Sequence, residues 1–371
     1  MLVTAKRPRS KRARFLFTGI NEVPTVLQKN HFPTLDGLRC FSILLVVFYH
    51  LELSQTPIYG LVFNGELGVN IFFVLSGFLI TTLCIKEKLV TSTLNLGKFY
   101  LRRVLRILPV AYLFLLVVFI LNLFLKLHLD YINFLGAALF IYNFAFFRHY
   151  KNSFAIGHYW SLATEEQFYI LFPAILKKNY VAFLVCILTI SILVPVFIYV
   201  QYYISPLNRT VLLFTTHYLI KFNGIACGCL YSILVFKGYF DKIGTLRYRL
   251  VINLIIILLL FFLDFRAAFD IDHIATNTII SLLTGLFIAM NIYSSNDIVY
   301  KLLNSKIAIK IGVLSYSIYI WQQIFTLPIL PKPLSLFPYN LLFLAIVSYL
   351  SYHFYERYFI NLKKRFQRIK N

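Results

Sequence analysis

The sequence predicts an all-α fold: a polytopic membrane helix bundle of about ten transmembrane helices plus one buried or re-entrant helical segment (159–176), with both termini cytoplasmic. Composition is the first observation behind this. Of 371 residues, 60% are hydrophobic and 13% charged, against about 45–50% and roughly 25% in soluble domains. A soluble fold of this size cannot bury so much apolar surface, so lipid is the solvent for much of it. The second observation is the spacing of the apolar runs. The third is where the basic residues fall between them.

Runs long enough to cross a bilayer, which takes about 20 residues, lie at 37–53, 68–85, 104–126, 131–147, 179–202, 211–236, 250–265, 274–293, 307–328 and 338–358. An eleventh apolar stretch, 159–176, holds Glu165 and Glu166 near its middle. Each central carboxylate costs about 2.5–3.5 kcal/mol on insertion, which argues against a free-standing span. If this stretch dips in and returns, or lies buried between other helices, ten spans leave both termini on the cytoplasmic side. Of the 36 lysines and arginines, only Lys126, Arg209, Arg266 and Lys332 then face outward, and Lys221 lies within a span. The rest are cytoplasmic, as the positive-inside rule requires. A full span at 159–176 would invert every later loop.

The chain divides accordingly into a basic cytoplasmic N-terminal arm (1–34), a transmembrane domain (35–360) and a basic cytoplasmic tail (361–371). The net charge of +22 reads as membrane topology and not as nucleic-acid binding. The first fourteen residues are basic but lead into mixed sequence, so a cleavable signal peptide is not expected. Cys227 and Cys229 lack the partners of a zinc site, and the five cysteines read as packing residues with no metal expected.

Polar groups inside membrane spans are costly and usually face a cavity or each other. Arg39 and His50 stand eleven residues apart on the first span, close to three helical turns. They share a face, with His50 about 16 Å deeper. Arginine at the mouth suits phosphate or carboxylate; histidine can take and return a proton near neutral pH. An interfacial anchor plus a satisfied buried histidine would give the same spacing. The glycines and Ser76 of Gly68–Leu79 suit close helix approach. Arg103 and Arg106, at i and i+3, share a face at the cytoplasmic surface. They suit either anionic lipid heads or a phosphorylated cofactor. In the segment His158–Tyr169, Glu165 and Glu166 point about 100° apart on a helix, so one can pair with arginine while the other orients a histidine or takes a proton. Ser161 shares the face of Glu165. Tyr316, Trp321 and Gln322 lie in a span where lipid contact selects neither amides nor tyrosines. They suit a sugar or acyl pocket, or an interfacial aromatic belt.

Together the segments L-D-G-L-R with the Arg39-to-His50 spacing, G-V-N-I-F-F-V-L-S-G-F-L-I, F-Y-L-R-R-V-L-R-I-L-P, Y-W-S-L-A-T-E-E-Q-F-Y, S-Y-S-I-Y-I-W-Q-Q and Y-E-R-Y resemble the integral membrane acyltransferase family 3, in the family's order and over nearly the whole chain. The resemblance implies a bacterial O-acyltransferase of the inner (plasma) membrane. It would transfer an acyl group, acetyl by default, from acyl-CoA (acetyl-CoA) to a hydroxyl of a cell-surface or exported carbohydrate such as lipopolysaccharide or exopolysaccharide. The acceptor would be free or lipid-linked. It implies catalytic roles for His50 and Glu165 and donor binding by Arg39, Arg103 and Arg106; Glu166, the second of the paired carboxylates, is read from the sequence as a further catalytic candidate. Acceptor binding would fall to Asn70, Trp160, Ser161, Tyr316, Trp321 and Gln322. Two positions depart from the pattern: Asn70 stands where the family often has Asp, and Gln322 where it often has His. Many members carry a further extracytoplasmic hydrolase-like domain, for which this chain is too short, so it is expected to act alone or with a partner. The alternative is a transporter or flippase for lipid-linked sugars. Against that stands the lack of an inverted repeat and of paired broken helices.

Overall fold

The computed structural model describes residues 19–29, 31–51, 65–144, 155–203, 219–243, 246–269, 273–326, 330 and 334–366. Most of the N-terminal arm, the last five residues and the start of the expected span 211–236 lie outside the described residues. Among those described, the secondary structure is helical. The helices are α1 (Pro33–His50), α2 (Gly65–Thr91), α3 (Leu96–Leu125), α4 (Tyr131–Ala138), α5 (Tyr159–Lys178), α6 (Tyr180–Leu188) and α7 (Val194–Tyr203). They continue with α8 (Asn223–Phe236), α9 (Arg249–Phe269), α10 (His273–Asn291), α11 (Ile298–Leu303), α12 (Lys306–Thr326), α13 (Tyr339–Leu350) and α14 (Arg357–Lys364). π-helical turns join α6 to α7 and α13 to α14.

Lipid is the expected solvent for the outer faces. On α9, Leu254, Ile255, Leu258, Phe261 and Phe262 are exposed, an apolar stripe that water would not tolerate. Among the described residues, three helices are long and apolar enough to cross a membrane: Gly65–Thr91, Leu96–Leu125 and Tyr180–Gln201. Asn95 starts α3 by accepting from the Lys98 amide at 3.0 Å, an N-cap that meets one orphan donor.

The expected span at 131–147 requires correction. Among its described residues, 131–144, helix covers Tyr131–Ala138 and turns follow, with Phe140 at a φ of 54°. Irregular backbone at membrane depth survives only where protein meets its polar groups, and side chains do so here. The Ala138 carbonyl accepts from the Tyr112 hydroxyl at 3.0 Å, the Phe140 carbonyl from the Gln167 amide at 3.0 Å, and the Asn143 carbonyl from the Lys221 ammonium at 2.7 Å. Periodicity and hydropathy do not register such long-range partners.

The suspect stretch forms a continuous helix, α5, running antiparallel to α3. The Tyr159 hydroxyl donates to the carbonyl of Ala111, midway along α3, at 2.6 Å. The Tyr100 hydroxyl, near the start of α3, donates to that of Ile170 at 2.8 Å. α5 therefore begins inside the bundle and emerges beside the basic start of α3. Its last turn is held by the Lys88 ammonium, which donates to the Leu176 carbonyl at 3.2 Å. The carboxylates expected to disfavour a lipid-facing span are thereby placed in the protein interior.

Two close helix crossings set the frame. A Cβ on Gly37 would lie 1.8 Å from the carbonyl oxygen of Leu303, and one on Gly312 would lie 1.8 Å from that of Asp36. α1 thus touches α11 and α12 backbone to backbone. Gly77 and Gly228 do the same for α2 and α8, with Cβ positions 1.9 and 2.0 Å from the carbonyls of Ile225 and Val74. Small residues allow such approach, and dispersion across the seam replaces the hydrophobic drive that lipid removes.

Candidate active site

The glycine seam of α1 fixes Asp36 and Arg39 near its N-terminal end. Arg39 donates to Asp36 Oδ1 at 2.6 Å, and the other Asp36 oxygen meets His31 Nε2 at 2.5 Å. One turn of α3 brings Arg103 and Arg106 to the same place. The Arg103 guanidinium lies over the rings of Tyr169, at 5.1 Å, and Phe99, at 5.8 Å, faces that attract cations. Arg102 also lines the cavity but is already engaged: it donates to Glu87 at 2.7 Å and to the Phe366 carbonyl at 3.0 Å, tying α3 to α2 and to the residues after α14.

These groups surround a cavity of about 370 Å³ that enters between α1, α2, α3, α5 and α12. Glu165 lines its wall. One of its oxygens accepts from the Ser76 hydroxyl at 2.9 Å and the other from the Tyr169 hydroxyl at 3.0 Å. Tyr316 is fixed by donating to the Ile107 carbonyl at 2.7 Å. At the inner end the hydroxyls of Ser161 and Tyr319 lie 2.5 Å apart. Arg39, Arg103, Arg106, Glu165, Ser161 and Tyr316 are therefore brought to one cavity, as the resemblance implied for a single site.

Beyond that inner end the environment changes. The His158 carbonyl accepts from Ser161 at 3.0 Å and Tyr319 at 3.3 Å. Its ring packs against Phe114 and Tyr319, with centroids at 5.0 and 5.6 Å. Both ring nitrogens are buried and have no hydrogen-bond partner. Trp321 packs on the same Phe114, at 5.7 Å. Its indole N–H and both amide atoms of Gln322 are likewise buried and unpartnered. His50, the last residue of α1, lies within electrostatic reach of His158. Its Nδ1 is 2.8 Å from the Val46 carbonyl. A carbonyl only accepts, so Nδ1 carries the hydrogen and Nε2 the lone pair, the arrangement a base or nucleophile needs.

Six expected site residues stand apart from the cavity lining: His50, Trp321 and Gln322, described above, and Asn70, Trp160 and Glu166. Asn70 is engaged with α10: its Oδ1 accepts from the Ser281 hydroxyl at 3.0 Å, and its amide donates to the Asn277 carbonyl at 3.4 Å. Trp160 stands edge-on to Phe73 at 5.8 Å. Glu166 keeps one carboxylate oxygen buried and unpartnered. The resemblance allowed Glu165 to serve either His50 or an arginine. Its partners are Ser76 and Tyr169, on the arginine side of the site. Sequence reasoning read Ser76 as a packing residue and passed over His158 and Tyr319, though Tyr319 stands in a motif that carries the resemblance and His158 immediately precedes another. It also passed over Glu356, a buried carboxylate of the Y-E-R-Y motif that accepts from the hydroxyls of Ser317 and Ser351. A carboxylate one turn from the end of an apolar run was the available signal.

The comparisons with known proteins bear on this geometry. A family model described as acyltransferase domain, acyltransferase family 3, matches residues 32–360. The chain belongs to that family. The match takes in the cavity residues from Phe32 to Tyr319 and the cluster around His158, while His31 and Lys363 of the cavity lie just outside it. Relatives of this acyltransferase include "Putative O-acetyltransferase SACOL0978" of Staphylococcus aureus strain COL, 30% identical over 325 residues, covering 79% of this chain and 50% of that protein. Another is O-acetyltransferase OatA of Staphylococcus aureus strain NCTC 8325, 29% identical over 362 residues, covering 88% of this chain and 57% of that protein. The chain spans about half the length of the curated relatives it matches. No solved structure matches it.

Proposed function

We propose that this acyltransferase moves an acetyl group from acetyl-CoA, bound from the cytoplasm, to a hydroxyl of a cell-surface or exported carbohydrate, free or lipid-linked. The observation that carries this reading is the cavity at the basic end of the bundle, which gathers Arg39, Arg103 and Arg106 around an interior lined by Glu165, Ser161 and Tyr316. Three guanidiniums suit the phosphates of a coenzyme A donor. A narrow interior suits its pantetheine arm. The names of the relatives support O-acetyl transfer. The sidedness rests on the positive-inside distribution, with ten crossings and both termini in the cytoplasm of the producing cell. Under this topology α4, the turns after it and α5 share one crossing.

In the proposed reaction the acceptor hydroxyl oxygen bonds to the thioester carbonyl carbon while His50 Nε2 takes the hydroxyl proton. The carbon–sulfur bond then breaks, and the thiolate leaves as coenzyme A after regaining that proton from His50. In the covalent variant His50 Nε2 accepts the acetyl group first and releases coenzyme A, and the acceptor hydroxyl then attacks the acyl-imidazole. Glu165 holds Arg103 electrostatically and orders the cavity wall through Ser76 and Tyr169. Glu166 is assigned to proton handling, and Asn70, Trp160, Trp321 and Gln322 to the acceptor side. Radiolabelled acetyl trapped on the protein, and absent from His50→Ala, marks the covalent variant. Full turnover without a trapped adduct marks the direct one.

The reading is tested by calorimetry of acetyl-CoA binding to the detergent-purified chain. Wild type should bind, and Arg103→Ala with Arg106→Ala should weaken binding by at least about 100-fold, since each charged hydrogen bond contributes about 1.5–3 kcal/mol. A well-folded wild type that fails to bind would overturn the donor assignment and return weight to transport of lipid-linked sugars.

A further inference from the structure

The charges around the cavity do not balance. Asp36 is taken by Arg39 and His31, and Glu87 by Arg102. Arg103, Arg106 and Lys363 have no carboxylate within ion-pair distance among the described residues. Of these, Lys363 is the unexpected one. It lies in the segment read from sequence as a basic tail, yet α14 packs along α3. The Arg102-to-Phe366 hydrogen bond holds the residues after it against the bundle, and Lys363 lines the cavity beside the arginines. Its neighbour Lys364 is exposed and merely donates to Asn361 at 3.0 Å. Two adjacent lysines on one amphipathic helix thus have opposite fates, one turned to solvent and one into a cationic cavity.

A lysine held among arginines without a counter-ion is unfavourable in the empty protein. Burial, with Arg106, Arg103, Arg102 and Arg39 adding to it, pushes its ammonium down to about 6. Nothing in packing requires an amine there, and the stem alone could fill the space. An anionic ligand reverses the balance, because its charge makes the ammonium form favourable.

We propose that Lys363 is a third unpaired cation of the donor site, contacting a phosphate group of the coenzyme A donor from the C-terminal amphipathic helix. This rests on the donor reading given above and adds to it a contact from outside the membrane-spanning segments. The site then draws its phosphate ligands from α1, α3 and α14. The end of the chain becomes part of the binding machinery.

The test is calorimetric titration of the full chain with acetyl-CoA, for wild type, Lys363→Gln, Lys363→Arg and Lys364→Gln, each checked for a cooperative thermal transition. Lys363→Gln should weaken binding roughly 10-fold, Lys363→Arg should retain it, and Lys364→Gln should match wild type. A second readout separates phosphate contact from packing. At pH 7.5 the free Lys363 is largely neutral and becomes charged when phosphate binds. Wild type should therefore take up more protons on binding than Lys363→Arg, which is always charged, as read from buffers of different ionisation enthalpy. Wild-type affinity in Lys363→Gln, or equal proton uptake in wild type and Lys363→Arg, overturns the assignment and leaves the donor reading standing. Failure of folded wild type to bind acetyl-CoA overturns both.

Discussion

Around Glu165 the carboxylates that line the cavity are partnered, the neighbouring Glu166 oxygen standing apart: the two Glu165 oxygens take Ser76 and Tyr169, Asp36 takes Arg39 and His31, and Arg103 lies on two aromatic faces. Around His158, whose carbonyl accepts from the Ser161 hydroxyl of the cavity wall, the imidazole, the Trp321 indole and the Gln322 amide are buried with nothing to bond. Burying a polar group unsatisfied costs about 1–3 kcal/mol each, so the second region is the expensive one. The first region is organised before a ligand arrives. The second is organised for groups that a ligand must supply. Such local expense, five unpartnered buried atoms on three side chains, is a mark of a reacting centre.

The comparison breaks most visibly at His50. Its replacement by alanine is expected to lower acyl transfer by about 10²–10⁴-fold while acetyl-CoA affinity stays at the wild-type value. Rapid turnover by His50→Ala would remove the catalytic assignment. Gly312→Ala strikes the other region through the backbone. A Cβ set 1.8 Å from the Asp36 carbonyl must push α1 and α12 apart. Overpacking of this kind costs about 1–3 kcal/mol or more, so both the thermal midpoint and donor binding should fall. A variant that melts and binds like wild type would show that the seam does not position Arg39.

His158→Phe sharpens the contrast, because the two roles predict opposite signs. Removing the two unpartnered nitrogens from an apolar cluster should raise the thermal midpoint. If His158 serves the reaction, turnover should fall about 10-fold or more with KM for acetyl-CoA unchanged. A stabilised variant with full activity would make His158 a packing residue. Tyr316→Phe is the smallest change. It deletes one hydroxyl bonded to the Ile107 carbonyl and should cost about 0.5–1.5 kcal/mol, seen as a lower thermal midpoint.

Much of the site was legible because charge inside an apolar run is conspicuous. Arg39, Arg103, Arg106 and Glu165 each violate the hydropathy around them, and each reaches the cavity. Lys363 was not legible for the converse reason: in a basic tail a further lysine violates nothing. Ser76 was hidden by its neighbours, since a small residue between glycines reads as packing, and only α5 lying alongside gives its hydroxyl a carboxylate to bond. Asn70 was misleading in the same way, for its amide meets α10 across more than two hundred residues of sequence.

By itself the sequence determined that the chain is helical, that it lives in lipid, which family it resembles and which spans carry charge. These follow from composition and from periodicities that each residue expresses locally. Only the tertiary structure decided that 131–144 forms a short helix followed by turns, that α5 starts inside the bundle, and that α14 sends Lys363 to the arginines. Each depends on hydrogen bonds and seams between residues far apart in the chain, where the energy of a group is set by the neighbour it meets.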